Sequence, residues 1–541
     1  MSGSSGEVAR LVAAAEPTAP KPLRGLLSRL AAVGLLRGAV RAGAAVDPEA
    51  LAGVEIRSIA FDSRRAGPGG LFAAIPGARA DGHAFLPAVA AAGAAAALVE
   101  RPNPELALAQ VIVADARRAL AFAAAWWYGD PSESLAIVGV TGTDGKTTTS
   151  FLAVAALERA GIATGLIGTV ETKIGSIREA NPEHVTTPEA PELQATLRAI
   201  ADAGDRAAVV ETTSHGLALH RVEAIAYDAA VFTNLTHEHL ELHGTFEAYR
   251  AAKLSLFERL IAQRPGQAWP SVGIVNRDDP SAPFFEGAAR QAGAALMTYG
   301  TGPDADVRGS NVEEDLARLR FDVAAPGWSG RIALRLAGQF NVHNALAVVA
   351  LGRALGLDPD AVREGIEELP GVPGRMQRID AGQPFGVIVD FAHSPASLDK
   401  VLGLLGPSAA ARGGGLIVVF GSAGERDRGK RPMMGRVAGE HCRLVVVADE
   451  DPRGEDPVSI LEEIGAGAEA AGRRRGRDLL LIADRRAAIA AALSRARPGD
   501  VVLLAGKGHE QTIEYASGNL PWNEAAVARE VLAAMGYGEV R

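Results

Sequence analysis

The chain has 541 residues, 48% of them hydrophobic, enough for three or four domains with cores of their own. Its formal net charge of −9 is spread without a long basic run, which argues against nucleic acid as a partner. One cysteine, Cys442, excludes an intrachain disulfide and a multi-cysteine zinc site; the longest apolar stretch, 84–99, is broken by Pro87 and Gly93 and too weakly hydrophobic for membrane insertion.

Residues 1–22 are small, polar or proline-rich and lack the apolar centre of a signal peptide, so a disordered leader on a cytoplasmic protein is expected. Residues 23–130 alternate short strands, Glu55–Phe61 and Gly70–Ile75, with alanine-rich helices. Residues 131–370 repeat strand-then-helix patterns, with strands at Leu135–Val140, Ala207–Thr212, Ala229–Thr233 and Val272–Asn276. Gly371-Val-Pro-Gly-Arg375 reads as a hinge. Residues 371–541 continue the alternation at Gly386–Asp390, Gly415–Phe420, Arg443–Ala448, Asp478–Ile482 and Asp500–Leu504. The fold class is α/β, with mostly parallel sheets covered on both faces and ligands at the carboxyl ends of the strands.

The most informative run is Gly139-Val-Thr-Gly-Thr-Asp-Gly-Lys-Thr-Thr-Thr149, between a buried strand and a helix expected over Thr147–Ala160. A glycine-rich turn there aims backbone N–H groups and a helix N-terminus at one anion. Lys146 supplies a cation for the β- and γ-phosphates and Thr147 a hydroxyl for Mg²⁺, with Gly142, Thr143, Asp144, Gly145 and Thr148 completing the loop. The strict pattern has glycine where this chain has Val140.

A second constellation follows. Five of the eleven histidines lie between His215 and His243, interleaved with Glu211, Glu238 and Glu241. Three readings stay open: hydrogen-bonded loop histidines, zinc on His237, His239 and His243, and Mg²⁺ held by Glu211 and one histidine beside the nucleotide. The phosphate loop favours the third. Asn276-Arg-Asp-Asp279 imitates a guanine-reading element, but arginine replaces its lysine and no switch element accompanies it.

With these motifs in this order, the chain resembles the Mur ligases, ATP-dependent amide-bond formers of peptidoglycan synthesis, from about residue 23 to the C-terminus. Within that family it is similar to the members that add the third peptide residue, a diamino acid such as meso-diaminopimelate or L-lysine. The resemblance implies three domains: a UDP-muramoyl-binding unit (23–130), a central P-loop ATPase unit (131–370) and a Rossmann-like C-terminal unit (371–541) that receives the amino acid. It implies small-molecule substrates and a monomer. It places Phe61, Ser63 and Ala78, Arg79 and Ala80 in the uridine-nucleotide pocket, and Thr186, Thr187, Thr213 and Arg221 at the muramoyl-dipeptide. Thr213 keeps the hydroxyl of the family's usual serine; Val185 and Leu219 replace polar residues. Glu211 and His239 match the magnesium ligands, beside Thr147, and Lys253 matches the lysine that becomes N-carbamylated and then serves a second Mg²⁺. Carbamylation needs the neutral amine, so the pocket must disfavour the ammonium. Asn341 and Arg375 match residues that touch ATP. In the C-terminal unit, the resemblance places Arg426, Glu450, Asp451, Pro452, Arg453, Gly506 and Glu510 at the amino-acid site, with Glu450-Asp-Pro-Arg453 in place of the usual Asp-Asn-Pro-Arg. A guanidinium at Arg453 can grip the second carboxylate of diaminopimelate, whereas the charge of Asp451 suits a terminal amine.

Overall fold

The computed structural model describes residues 6–77, 80–181, 185–236, 240–260, 269–314 and 318–538, with 240 and 241 by their backbone alone. Three large sheets organise the chain. Residues 36–113 build a six-stranded sheet, parallel from Ser58–Ala60 through Ala109–Val113 and closed on one side by the antiparallel strands Leu36–Arg41 and Ala44–Val46.

The central sheet has eleven strands. Its parallel middle runs Thr164–Ile167, Ala207–Glu211, Ala136–Thr141, Ala229–Phe232, Val272–Asn276, Ala295–Gly300 and Val307–Glu314. Antiparallel strands flank both sides: Glu171–Ile174 and Ile177–Ala180 on one, Leu319–Ala325 and Trp328–Leu334 on the other. Side chains alternate across the strand Ala136–Thr141. Val138 and Val140 enter a core under the helices Lys146–Arg159 and Phe340–Ala354, and Ile137 enters the opposite core with Leu193, Leu197 and Phe257. Both faces are covered over Ala136–Thr141, Ala207–Glu211, Ala229–Phe232 and Val272–Asn276, which accounts for their largely apolar sequences.

The C-terminal sheet runs Gln377–Arg378, Gly386–Asp390, Val501–Ala505, Leu416–Phe420, Leu444–Val447 and Leu479–Leu481, parallel after its first pair. The last parallel strand in sequence lies between the first two, so the loops after Asp390, Phe420, Val447 and Ala505 open at one edge. Ligands collect at such switch points.

The N-terminus corrects one expectation. Residues 6–22 are ordered against the rest of the chain. Glu7–Ala14 is a helix whose Val8, Leu11 and Val12, at helical spacing, pack on the central core. Glu16 accepts from Trp127 Nε1 at 2.9 Å and from the Tyr128 hydroxyl, and Lys21–Pro22 pairs with Glu55–Ile56. Polar composition suggested disorder, but the helix packs its apolar stripe on the central core, with Val12 also reaching the N-terminal one, and Glu16 anchors the segment to Trp127 and Tyr128.

A candidate ATP-dependent ligase site

Sheet register assembles the site. Val140 pairs with Glu211, and Thr141 pairs with Phe232, so three neighbouring strands release their loops at one level. The middle loop is the phosphate loop. Gly142 has φ +150, and a Cβ there would lie 1.9 Å from Thr233 Oγ1, so only glycine fits. Thr233 and Asn234, not singled out in the sequence, hold the loop. Thr143 N donates to Asn234 O at 2.8 Å, Asp144 N donates to Asn234 Oδ1 at 2.9 Å, and Thr233 Oγ1 donates to Asp144 O at 2.6 Å. Tyr249 joins them, its hydroxyl 3.1 Å from Thr143 Oγ1.

Two lysines converge on this loop. Lys146 Nζ donates to Gly142 O at 2.9 Å and Thr143 O at 2.8 Å; Lys253 Nζ donates to Gly142 O at 2.7 Å. Lys253, on the helix Phe246–Glu258, is 1% exposed and sits 4.7 Å from the Tyr249 ring centroid. Thr147 Oγ1 donates to Glu211 Oε2 at 3.0 Å. Glu211 is fully buried and also accepts from Thr169 Oγ1 (2.8 Å) and Thr169 N (3.2 Å). Burial pushes its carboxyl pKa up, against these hydrogen bonds and the Lys146 charge. A buried carboxylate beside the loop's threonine hydroxyl fits a hard divalent cation that also contacts phosphate oxygens. His237, Glu238 and His239 lie outside the described residues; among the described residues no cluster of three His, Cys, Asp or Glu could hold a metal. His243 stacks edge-on against His215, with ring centroids 5.9 Å apart, and lies 5.3 Å from the Tyr249 ring.

Thr186, Thr187 and Thr213, expected at the muramoyl-dipeptide, meet the same strand. Thr187 Oγ1 donates to Glu211 O at 2.8 Å and lies 3.0 Å from Thr213 Oγ1, while Thr186 Oγ1 lies 2.9 Å from Thr169 Oγ1. Thr213 caps the helix Ser214–Ala218, and Arg221 donates to Thr187 O and pairs with Glu189 at 2.6 Å. Phe61 and Ser63 follow the strand Ser58–Ala60, half-buried, and Ala80 is exposed; Ala78 and Arg79 lie outside the described residues.

Asn344 stands closer to the loop than Asn341. Asn344 Oδ1 accepts from Thr149 Oγ1 at 3.2 Å and its amide donates to Asn341 Oδ1 at 2.8 Å, while Asn341 donates to Ala337 O. Arg375 leaves the hinge 5.0 Å from the Phe391 ring centroid. Its Nε, buried, finds no acceptor among the described residues. The hinge packs directly on the loop Gly506–Glu510: a Cβ at Gly374 would lie 2.2 Å from His509 N.

In that loop Lys507, missed in the sequence and 1% exposed, donates to Asp451 Oδ1 at 2.8 Å and pairs with Glu510 at 2.5 Å. Asp451 also accepts from Glu514 N, so its charge is balanced in place. Burial raises the carboxyl pKa of Glu450 and of Glu510. Glu450 Oε2 is buried with no hydrogen-bond partner among the described residues. Pro452 and Arg453 follow, Arg453 with φ +54 and its Nε on Glu514 Oε2 at 2.8 Å. Arg426 is exposed on the facing loop. Behind both loops lies Arg485, fully buried, donating to Asp449 O (3.0 Å) and Ala505 O (2.7 Å) and paired with buried Glu524.

Comparisons with known proteins agree with this arrangement. Three family models match in order: "Mur ligase family, catalytic domain" over 55–127, "Mur ligase middle domain" over 140–352 and "Mur ligase, glutamate ligase domain" over 374–508. The UDP-N-acetylmuramyl-tripeptide synthetase of Roseiflexus sp. is 48% identical over 90% of this chain and 96% of its own. The UDP-N-acetylmuramoyl-L-alanyl-D-glutamate–2,6-diaminopimelate ligase of Solibacter usitatus is 39% identical over 91% and 96%. A solved structure of a ligase of that second name superimposes with a TM-score of 0.63 at 30% identity, covering 89% of this chain and 96% of its own. With its three-unit α/β architecture and phosphate loop, the chain belongs to the Mur ligase family of ATP-dependent ligases.

Proposed function

We propose that this protein joins a diamino acid, meso-diaminopimelate, to UDP-N-acetylmuramoyl-L-alanyl-D-glutamate while converting ATP to ADP and phosphate, as a cytoplasmic monomer whose units span 23–130, 131–370 and 371–541. The observation that carries the reading is the double engagement of Glu211. Its carboxylate meets the phosphate-loop hydroxyl of Thr147, and its main-chain oxygen meets Thr187 of the peptide side. Phosphoryl donor and acceptor carboxylate are thereby assigned to opposite ends of one residue.

The D-glutamate γ-carboxylate attacks the γ-phosphorus, giving an acyl phosphate and ADP. The incoming amine then attacks the acyl carbon, and the tetrahedral intermediate expels phosphate. No protein nucleophile is required, so the chain's work is positioning and charge stabilisation. Lys146 would leave the Gly142 and Thr143 carbonyls to contact the transferring oxygens. Thr147, Glu211 and His239 would hold Mg²⁺, and Lys253, as a carbamate, would serve a second; the ions neutralise charge on the phosphoryl group. Arg453 would take the distal carboxylate of diaminopimelate, and the pairing of Asp451 with Lys507 removes the repulsion that an isolated aspartate would impose.

One observation favours a plain diamine, L-lysine or L-ornithine, instead. The Nε of Arg453 is engaged by Glu514, while Glu450 Oε2 has no partner among the described residues and could accept from an ammonium. Parallel ligation assays with meso-diaminopimelate, L-lysine and L-ornithine decide between the two, preference for either plain diamine overturning the assignment to Arg453. Phosphate release must depend on both the UDP-linked dipeptide and the amino acid. A Lys146→Ala protein that forms tripeptide at near-normal rate would sink the scheme.

A further inference from the structure

Lys400 lies on the helix Pro395–Ala411 of the C-terminal sheet's unit, but its ammonium is held by groups of the central one. It meets Asp144 Oδ2 at 2.8 Å and stands 5.8 Å from the Phe340 ring centroid. One turn on, Leu404 continues the same face. A Cβ at Gly338 would lie 3.1 Å from Leu404 Cδ2 and 2.5 Å from the Phe340 ring, so this helix face is seated on the segment leading into Phe340–Ala354. Asp144 is the sole acidic residue in the run 139–149. Its backbone is fixed on both sides, N–H to Asn234 Oδ1 and C=O to Thr233 Oγ1 and Asn234 Nδ2, so its carboxylate cannot leave the phosphate loop.

A carboxylate in a loop that cradles polyphosphate repels its ligand. The repulsion falls when a cation sits on the carboxylate, and here that cation arrives from another unit. We propose that Lys400 is a positioning residue for ATP: it neutralises Asp144 only while the C-terminal unit is seated, and so couples seating to nucleotide affinity. The ligase reading supplies the identity of the nucleotide; the ion pair and its effect on the loop stand on geometry.

The pair's side chains are 56% and 51% exposed, which sets the scale: pairs this exposed shift an equilibrium by roughly two- to fivefold, and salt weakens them. The test is calorimetric titration of ATP–Mg²⁺ into the full chain and into Lys400→Ala, Lys400→Arg, Asp144→Asn and the Lys400→Ala/Asp144→Asn double variant. Lys400→Ala should weaken ATP by roughly two- to fivefold, Lys400→Arg should restore it, and Lys400→Ala should change nothing once residue 144 is asparagine. Unchanged affinity in Lys400→Ala, or the same loss in both backgrounds, overturns the proposal. Failure of the unaltered chain to bind ATP overturns the ligase reading as well.

Discussion

Replacing Arg485 with methionine should damage the proposed amino-acid site without touching it. The guanidinium makes three hydrogen bonds to Glu524 in addition to those to Asp449 O and Ala505 O, at 2.7 to 3.2 Å. Those two carbonyls stand immediately before Glu450–Arg453 and Gly506–Glu510, Ala505 ending its strand and Asp449 two residues beyond Val447. Methionine fills much of the volume but leaves the Glu524 carboxylate buried with the Trp522 indole N–H (2.6 Å) as its remaining side-chain donor. Removing one member of a buried ion pair costs about 3–5 kcal/mol. Adding Glu524→Gln should recover part of that, because the stranded charge is gone while the carbonyls stay unsatisfied. Hydrogen exchange of the Leu444–Val447 and Val501–Ala505 amides, read by mass spectrometry, reports the stability of these strands locally, which suits a chain of several cores. KM for the amino acid should rise more than KM for ATP. Exchange slowed or accelerated by less than the equivalent of about 1 kcal/mol would refute the reasoning, since a pair so buried cannot be cheap to break.

Gly142→Ala should abolish ATP binding while leaving the C-terminal unit intact, because its Cβ would overlap Thr233 Oγ1 at 1.9 Å; nucleotide titration with amide exchange checks both halves. Glu211→Gln tests the pH sign. A carboxyl whose pKa burial has raised contributes stability fully present below its ordinary value and lost as pH rises through the raised one. Metal-free Glu211→Gln protein should therefore melt higher than the parent in alkaline buffer, converge with it below the ordinary carboxyl range of about pH 4, and lack Mg²⁺-dependent ligation in alkaline buffer. Glu16→Ala should cost about 1–3 kcal/mol, since it strands the indole N–H of fully buried Trp127 and the Tyr128 hydroxyl; thermal unfolding with Trp127→Phe in both backgrounds shows whether the losses couple.

The parallel strands were legible because each is a short apolar run bounded by turn residues: Val272–Asn276 and Gly386–Asp390 have the bounds the sequence suggests. The strands at Val307–Glu314, Leu319–Ala325 and Trp328–Leu334 were not singled out, since each mixes polar and apolar residues on an antiparallel edge with one face in water. Val140, anomalous for a phosphate loop, is explained by packing. It belongs to the core beneath the helix Lys146–Arg159, and Gly139 is small because Tyr227 and Leu256 press to within 3 Å of where its Cβ would be. Lys146, Thr147 and Glu211, which the structure gathers at one loop, could be named beforehand because motif chemistry marks them; Lys253 could be named only through the resemblance to the family. Thr169, Asn234, Lys507 and Arg485 could not, because their partners lie 42, 90, 56 and 39 residues away and no local pattern records such a pairing.

The two lysine nitrogens on the Gly142 carbonyl, together with the Thr233 and Asn234 bonds, have a thermodynamic consequence. The loop's shape is imposed by the folding of the sheet and not by its ligand. A cradle made rigid in advance loses little conformational entropy when a nucleotide arrives. The free energy of the phosphate contacts then remains available for drawing the C-terminal sheet and its amino acid towards the peptide.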